Sequence, residues 1–265
     1  MKTIRFLFFY ENNFKTKEVY QILENNEWKN KLETNFIYEN NNLIKKIKYF
    51  CQDKIKILNE TIYKYNNFDK LENEIITINN QDLLSNSINL NIIYKYDEKQ
   101  RITLEETKKC NKLLYFYDVN SNLKEYISYK YFNKEWIPTI KSVNFYDINN
   151  NLIKHKEFII KNNKWKEYTK ILYQYDNLNN CINELLFDFR DDEWFLYIKI
   201  NNKFNNFNKI IQERVELHNG LIYVTEYQYD SFKNLKKIKK NNDIFSYKYD
   251  NKNNLIEYIE EFYSE

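Results

Sequence analysis

One feature constrains this chain more than any other: a short aromatic-x-aromatic-acid motif recurs from one end to the other. A period of 20–50 residues marks a supersecondary unit that buries its apolar face only against its neighbours. With the second aromatic as anchor, clear copies fall at Tyr96, Tyr117, Tyr175, Tyr229 and Tyr249. Looser copies place anchors at Tyr10, Tyr38, Tyr65, Tyr146 and Phe204. Asp, Glu or Asn follows every anchor. Six positions later stands an aliphatic in most copies: Ile44, Leu71, Ile102, Leu123, Leu152, Ile210, Leu235 and Leu255, with Thr16 and Cys181 as exceptions. A core-facing position explains the aliphatics, and Cys behaves as a small hydrophobe.

A second fixed point is tryptophan. Trp28, Trp136, Trp165 and Trp194 each precede the next anchor by ten residues, at Tyr38, Tyr146, Tyr175 and Phe204. From Trp165 to Tyr175 the residues alternate with a period near two, Trp165, Ile171, Tyr173 and Tyr175 on one parity and Lys166, Lys170 and Gln174 on the other. That is the strand signature, and aromatic and β-branched residues suit a pleated, half-buried surface. Residues 176–180 read as a turn, 181–189 as the return strand and 190–193 as a second turn. Hairpin turns usually want Gly at positive φ, yet the chain has one Gly, Gly220, and no Ala. Asn fills the turn sites instead, as the next most tolerant residue. Asn219-Gly220 predicts a tight hairpin, and Pro138 an edge, a bulge or a strand start. Residues 81–91 carry no assignable pattern.

The expected fold is therefore all-β: an antiparallel β-hairpin repeat array of about ten hairpins in a single continuous domain, residues 1–265. Open sheets beyond roughly ten strands curl, split or roll, so a curved, rolled or spiralling meander is expected. Atypical ends, including the acidic residues Glu257, Glu260, Glu261 and Glu265, would cover its free edges. The structural anchors are Trp28, Trp136, Trp165 and Trp194 with Tyr96, Tyr117, Tyr146, Tyr175, Tyr229 and Tyr249. If the tryptophans are core, Trp165→Ala costs about 3–5 kcal/mol.

Tyr-x-Tyr-Asp-x-x-x-Asn-Leu, as at residues 115–123 and 247–255, resembles the YD repeat of the RHS/YD-repeat class. The longer copies, with Trp ten residues before the next Tyr, resemble the YD-like repeats of Bacteroidetes proteins. The resemblance implies strips of β-hairpins, which in large members wind into a shell or spiral. Ser121, Asn150, Asn179 and Asn253 stand where that class has its turn Gly. A weaker similarity is to MORN-type repeats, at residues 9–13 and 37–41.

Charge excludes some functions. With 41 basic against 38 acidic residues and a net +3, there is no basic stripe of a nucleic-acid binder. No apolar stretch approaches the roughly 20 residues of a membrane-spanning helix, so neither a nucleic-acid partner nor membrane insertion is expected. Cys51, Cys110 and Cys181 lie singly, as free and buried thiols do. With a short N-terminal apolar run and no cleavable signal, a cytoplasmic location is expected, with export by a signal-less route as the alternative.

No catalytic, cofactor or metal constellation is expected. His155 and His218 are far apart, and the cysteines lack paired spacing. Asp188 with Asp191 and Asp192 resembles a glycosidase dyad in composition, but acidic residues are ordinary beside turns. The Asp after each anchor is read as a turn cap rather than a repeated cation site. The remaining choice concerns the aromatics. Most should pack between hairpins, while the off-parity Tyr168, Tyr197 and Tyr223 are candidates to line an exposed binding face. The leading expectation is thus a non-enzymatic repeat scaffold that binds a protein or glycan. The alternative is a cytosolic immunity protein that binds and blocks a toxin.

Overall fold

The structure is a computed structural model that describes residues 2–52, 54–79 and 88–262. Every element in it is a strand. In chain order they are β1 (Lys2–Glu11), β2 (Phe14–Glu24), β3 (Glu27–Glu39), β4 (Asn42–Gln52), β5 (Lys54–Tyr65), β6 (Leu71–Ile78) and β7 (Ile88–Tyr96). There follow β8 (Ile102–Thr107), β9 (Asn111–Tyr117), β10 (Leu123–Phe132), β11 (Glu135–Tyr146), β12 (Leu152–Lys161), β13 (Lys164–Tyr175) and β14 (Cys181–Arg190). The last are β15 (Glu193–Phe204), β16 (Ile210–Leu217), β17 (Ile222–Tyr229), β18 (Leu235–Lys240), β19 (Asp243–Tyr249) and β20 (Leu255–Phe262). The hairpin meander read from the sequence is present, with the strands and turns around residues 164–204 within a residue or two of their expected bounds. Of the unassigned stretch, residues 81–87 lie outside the described residues and 88–91 open β7.

Contacts divide the chain into two units, residues 1–92 with 227–265, and residues 93–226. In the first unit, β1 pairs antiparallel with β2 on one side and β20 on the other. This corrects the expectation of an open rolled or spiralling sheet with covered edges. The first and last strands are hydrogen-bonded to each other, which is the connectivity of a β-barrel. Glu257, Glu260 and Glu261 form part of this seam, with Glu257 reaching Arg5 at 3.4 Å, and Glu265 lies outside the described residues. Pairing abolishes both edges outright.

In the second unit β8–β9 through β16–β17 pair consecutively and antiparallel. Two kinds of turn alternate. Tight turns lie just before the tryptophans, and both their central residues sit at positive φ, as at Asn133-Lys134 (48° and 66°), Asn162-Asn163 (52° and 58°) and Asp191-Asp192 (50° and 63°). These are the dihedrals of a type I′ turn, whose twist matches that of the flanking strands. The turns after the anchors span five residues and put one residue at positive φ, four positions past the anchor: Ser121, Asn150, Asn179 and Asn208.

The acid after the anchor folds this longer turn. Oδ1 of Asp147 accepts the N–H groups of Asn149 (2.9 Å) and Asn151 (2.8 Å), and Oδ2 accepts the Asn151 amide at 3.0 Å. Asp118, Asp176, Asp230 and Asp250 repeat the pattern. Asn205 does the same with its amide oxygen alone. Gly220 (φ 82°) takes this five-residue form too: Leu217 N–H donates to the Leu221 carbonyl and Gly220 N–H to that of Leu217, both at 2.9 Å. The two-residue hairpin expected at Asn219-Gly220 is therefore corrected, because Asn219 serves as an internal acceptor for Leu221 N–H rather than as a turn corner.

Bulges follow the repeat. Three residues after each Trp the pairing skips one residue: Lys31, Thr139, Tyr168 and Tyr197. Pro138 thus lies beside a bulge, where its missing N–H is tolerated. A second skip follows each anchor on the return strand, as at Ile153, Ile182 and Ile211. A skipped residue inverts the alternation of faces. Trp165 and Glu167 consequently share a face with Lys170 and Leu172, and the opposite face carries Thr169, Ile171, Tyr173 and Tyr175. The single apolar parity expected for residues 165–175 is split by Tyr168.

The first two anchors, Tyr10 and Tyr38, are followed by tight Asn-Asn turns. Their shorter loops move the equivalent position from six residues after the anchor to five, to Lys15 and Leu43, while Thr16 and Ile44 become the bulged residues.

There is almost no dry core. Ile4 and Val19 are the only buried apolar side chains among the described residues, and the chain exposes 18066 Å². A compact monomer of this mass exposes roughly 12,500 Å². Stability rests on ladders and on half-buried cross-strand pairs.

Two outcomes are expected. Lys134 occupies a left-handed site that costs a β-carbon about 1–2 kcal/mol; Lys134→Gly should raise unfolding stability by about 0.5–1 kcal/mol, since glycine's extra chain entropy offsets part of the gain. Equal or lower stability by urea titration would refute the strain. Second, the Asn180 amide and backbone N–H groups hold the Asp176 carboxyl below its ordinary range, and the Asn254 amide does the same for Asp250. A depressed folded pKa stabilises above the unfolded value, near 4, and that stability is lost as pH falls through the folded value. A combined Asp147→Asn, Asp176→Asn and Asp250→Asn variant should therefore show a flatter decline in stability below about pH 4. Superimposable pH curves would exclude the effect.

Candidate functional site

The two edges of the second unit are built differently. At the anchor edge the ladder between the two strands of each tight hairpin stops short, and the anchor hydroxyl closes the gap. Tyr117 OH donates to the Ile102 carbonyl, Tyr146 OH to that of Leu123 and Tyr175 OH to that of Leu152, each at 2.9 Å. Phe204 has no hydroxyl, and Asn202 Nδ2 instead donates to the Cys181 carbonyl at 3.0 Å. Neighbouring turns are also tied by amides: Asn122 Nδ2 to Asn150 Oδ1 (3.0 Å) and Asn151 Nδ2 to Asn179 Oδ1 (2.9 Å). Burial and a nearby Glu push the phenols of Tyr115 and Tyr173 up to about 12, so they remain donors.

The tryptophan edge stays open. Pairing of β13 with β14 ends at Thr169–Asp188, and pairing of β15 with β16 at Ile198–Leu217. Beyond Thr169–Asp188 the tight hairpins separate with the bulged Tyr168 at the fork, whereas the carbonyl of the bulged Tyr197 still accepts the His218 N–H at 2.9 Å. On one face a cation covers each tryptophan. Lys112 lies over Tyr129 (4.6 Å) and Trp136 (4.9 Å), Lys141 over Phe158 (4.8 Å) and Trp165 (5.5 Å), and Lys170 over Phe187 (4.6 Å) and Trp194 (4.2 Å). The three tryptophans thus share one environment, repeated every 29 residues. Burial between the rings lowers the pKa of Lys170. Aromatic partners sit within the same hairpin: Tyr131 on Trp136 at 5.1 Å and Phe189 on Trp194 at 5.0 Å.

Between the tips of the β12–β13 and β14–β15 hairpins lies a cleft of about 860 Å³, walled by Phe158, Trp165, Tyr168 and Phe189 and rimmed by Lys161, Asn162, Glu167, Arg190, Asp191 and Asp192. The next fork holds a smaller cleft of about 320 Å³, with Phe195, Leu196, Tyr197, His218, Asp188 and Asp191. There the Tyr197 ring stacks on His218 at 5.0 Å. The structure therefore places Tyr168 and Tyr197 at equivalent bulges, each lining a cleft. Tyr223 lies in β17 opposite Val215 and lines neither cleft. Phe158, Phe189 and Phe195 were not singled out from the sequence. The signal was present for the first: an aromatic stands seven residues before Trp136, Trp165 and Trp194.

The other chemistry-bearing residues are dispersed. Asp188 is bonded to Arg190 at 2.6 Å. His155 Nδ1 meets Asn144 Oδ1 at 2.7 Å, and its ring holds the Glu157 carboxyl below its ordinary range. Burial raises the thiols of Cys51 and Cys181, whereas Cys110 is exposed rather than buried as expected.

Neither a protein-family model nor a curated protein matches the chain. Solved structures with a related strand arrangement include a complex of TcdB2, TccC3 and Cdc42 (11% identity, TM-score 0.37), of which the chain covers 16% with 91% of its own length. A Photorhabdus luminescens Tc holotoxin pore aligns over 95% of this chain and 17% of its own (12% identity, TM-score 0.35). A porin-like protein from Bacteroides uniformis aligns over 98% of this chain and 93% of its own (9% identity, TM-score 0.40). The chain spans about a sixth of the length of the toxin-complex chains.

Trp165 is half-buried beneath one lysine rather than enclosed in a core. Trp165→Ala should therefore cost about 1–2 kcal/mol, the size of an aromatic pair plus a partly desolvated cation–π contact, and not the 3–5 kcal/mol of a core truncation. Chemical denaturation giving a loss above ~3 kcal/mol would restore the core reading.

Proposed function

We propose that this chain is a YD-type hairpin repeat acting as a non-enzymatic binding module, and that it takes a glycan in the clefts between its splayed hairpin tips. One observation carries the reading: the cleft walled by Phe158, Trp165, Tyr168 and Phe189 offers ring surface beside carboxylate, amide and guanidinium groups at its rim. Binding sites combine apolar walls with a few placed polar groups in this way. A sugar presents an apolar C–H face to a ring and hydroxyls at its edge to Asp191, Asp192 and Asn162. The cleft at Tyr197 is one repeat away, so two shallow sites in series suit an oligosaccharide, and tandem engagement adds avidity. Exposure supports the choice of Tyr168, whose side chain is 47% accessible although it stands beside three other rings.

A glycan array probed with the full chain, followed by calorimetry on the best oligosaccharide, tests this. Tyr168→Ala should weaken binding at least tenfold while shifting stability by less than about 0.5 kcal/mol, as expected of an exposed bulge residue. Retention of a protein but no glycan from native cells would replace the glycan reading with a protein-binding one.

A further inference from the structure

The opposite edge of the second unit carries a feature that no glycan cleft explains. Four of the five-residue turns there display one apolar side chain each, Val119 (91% exposed), Ile148 (96%), Leu178 (65%) and Phe207 (60%), while the turn at residues 97–101 carries Glu98 and Lys99 instead. Four consecutive turns thus present four aliphatic or aromatic tips. They form a row, because adjacent turns are hydrogen-bonded side by side: Asn122 to Asn150, Asn151 to Asn179, and Asn180 to Asn208 at 3.4 Å. Two strand spacings separate successive tips, about 10 Å.

We propose that this row is a membrane-surface contact: the tips insert into the headgroup and upper acyl region of a zwitterionic lipid bilayer. Three properties select that occupant. First, the tips are convex and separate, so they offer no groove to a helix or strand, while a fluid bilayer closes around isolated protrusions. Second, the turns have already paired much of their polar backbone. Leu178 N–H donates to Asp176 at 2.9 Å, and Phe207 N–H to Asn205 at 2.9 Å. The main penalty of taking a turn out of water, unpaired backbone donors, is thereby reduced. Third, charge and area argue against the other candidates. The four turns carry the carboxylates of Asp118, Asp147 and Asp176 against the single cation Lys209, a net negative charge that disfavours anionic lipid and nucleic acid. Four such side chains offer a few hundred Å² of apolar surface, short of the ~800 Å² per partner of a stable protein interface. The contact is interfacial and requires no spanning segment. It differs from the expectation of no membrane insertion only in that these tips dip below the lipid surface.

The test is flotation of the full chain with phosphatidylcholine vesicles, with and without added phosphatidylserine. The variant is Ile148→Asn with Leu178→Asn. Both changes place a residue that sister turns already hold there, since Asn177 and Asn149 occupy the corresponding positions, so folding is preserved and is checked by circular dichroism. The wild type should float with phosphatidylcholine vesicles, no better when phosphatidylserine is added, and the double variant should partition at least tenfold less. Glycan retention by the same variant should be unchanged, which separates this contact from the clefts. A wild type that stays at the bottom of the gradient, or a variant that floats equally well, overturns the proposal. So does light scattering that shows a wild-type dimer dissolved by the double change, since a second copy would then cover the row.

Discussion

Everything in this structure depends on ladders that stop short. A strand in a regular meander would pair with both neighbours along its whole length. Here β13 pairs with β12 only as far as Leu172 and with β14 only as far as Thr169. Each strand therefore leaves unpaired backbone at both ends, on opposite sides. At one end the anchor tyrosine supplies the missing donor from its side chain. A buried carbonyl without a partner costs about 1–3 kcal/mol, and the anchor phenol supplies that partner at Ile102, Leu123 and Leu152. Asn202 donates to the Cys181 carbonyl where Phe204 has no hydroxyl, and Asn144 donates to the Leu123 carbonyl that Tyr146 also reaches, so amide and phenol both serve this bond.

This explains how a chain with only Ile4 and Val19 buried among its described apolar residues holds together. The interactions are local and repeated: a backbone ladder, a phenol-to-carbonyl bond, an amide link between turns and a lysine between two rings. Each is worth about a kcal/mol or less, and stability accumulates from one hairpin to the next. Because neither face is packed into a dry interior, alternation does not divide apolar from polar. Thr169 and Glu157 share a face with Tyr173, and Glu157 accepts a hydrogen bond from Thr169 at 3.1 Å.

Much of this was legible because it is local. The strands, the order of turns and the Trp-to-anchor interval follow from aromatic spacing and Asn clusters, which act within one hairpin. What stayed hidden belongs to pairing. A bulge is invisible in one strand, since only the partner shows that Tyr168 has been skipped, so a correct period of two still gave the wrong face for Trp165. The switch from six to five residues at Tyr10 and Tyr38 was hidden for a related reason: Glu11-Asn12-Asn13 and Asp147-Ile148-Asn149 both read as turns, and only positive φ at both Asn12 and Asn13 separates them. The β1–β20 seam joins residues some 250 apart, a separation at which no spacing rule operates. Tyr168 and Tyr197 were found as breaks in alternation, which is what a bulge produces. Tyr223 broke the pattern without one, and it lies outside both clefts.

The two edges can now be understood as consequences of one asymmetry. An edge zipped by tyrosine and asparagine cannot open, so whatever it does must be done by the apexes of its turns. An edge left unzipped keeps a fork at every repeat, and the fork must be filled. The 29-residue spacing places Lys112, Lys141 and Lys170 to fill it on one face, where the long apolar stem lies along the rings. The lysine covers the inner ring surface and leaves Tyr168 at the outer part of its fork to solvent, while Tyr197 is half-buried against His218. Changing the side chain at the bulge therefore alters what the fork presents without disturbing the ladder, as the chain itself shows by placing Lys31, Thr139, Tyr168 and Tyr197 there. The four bulges thus hold side chains of different chemistry on one ladder geometry.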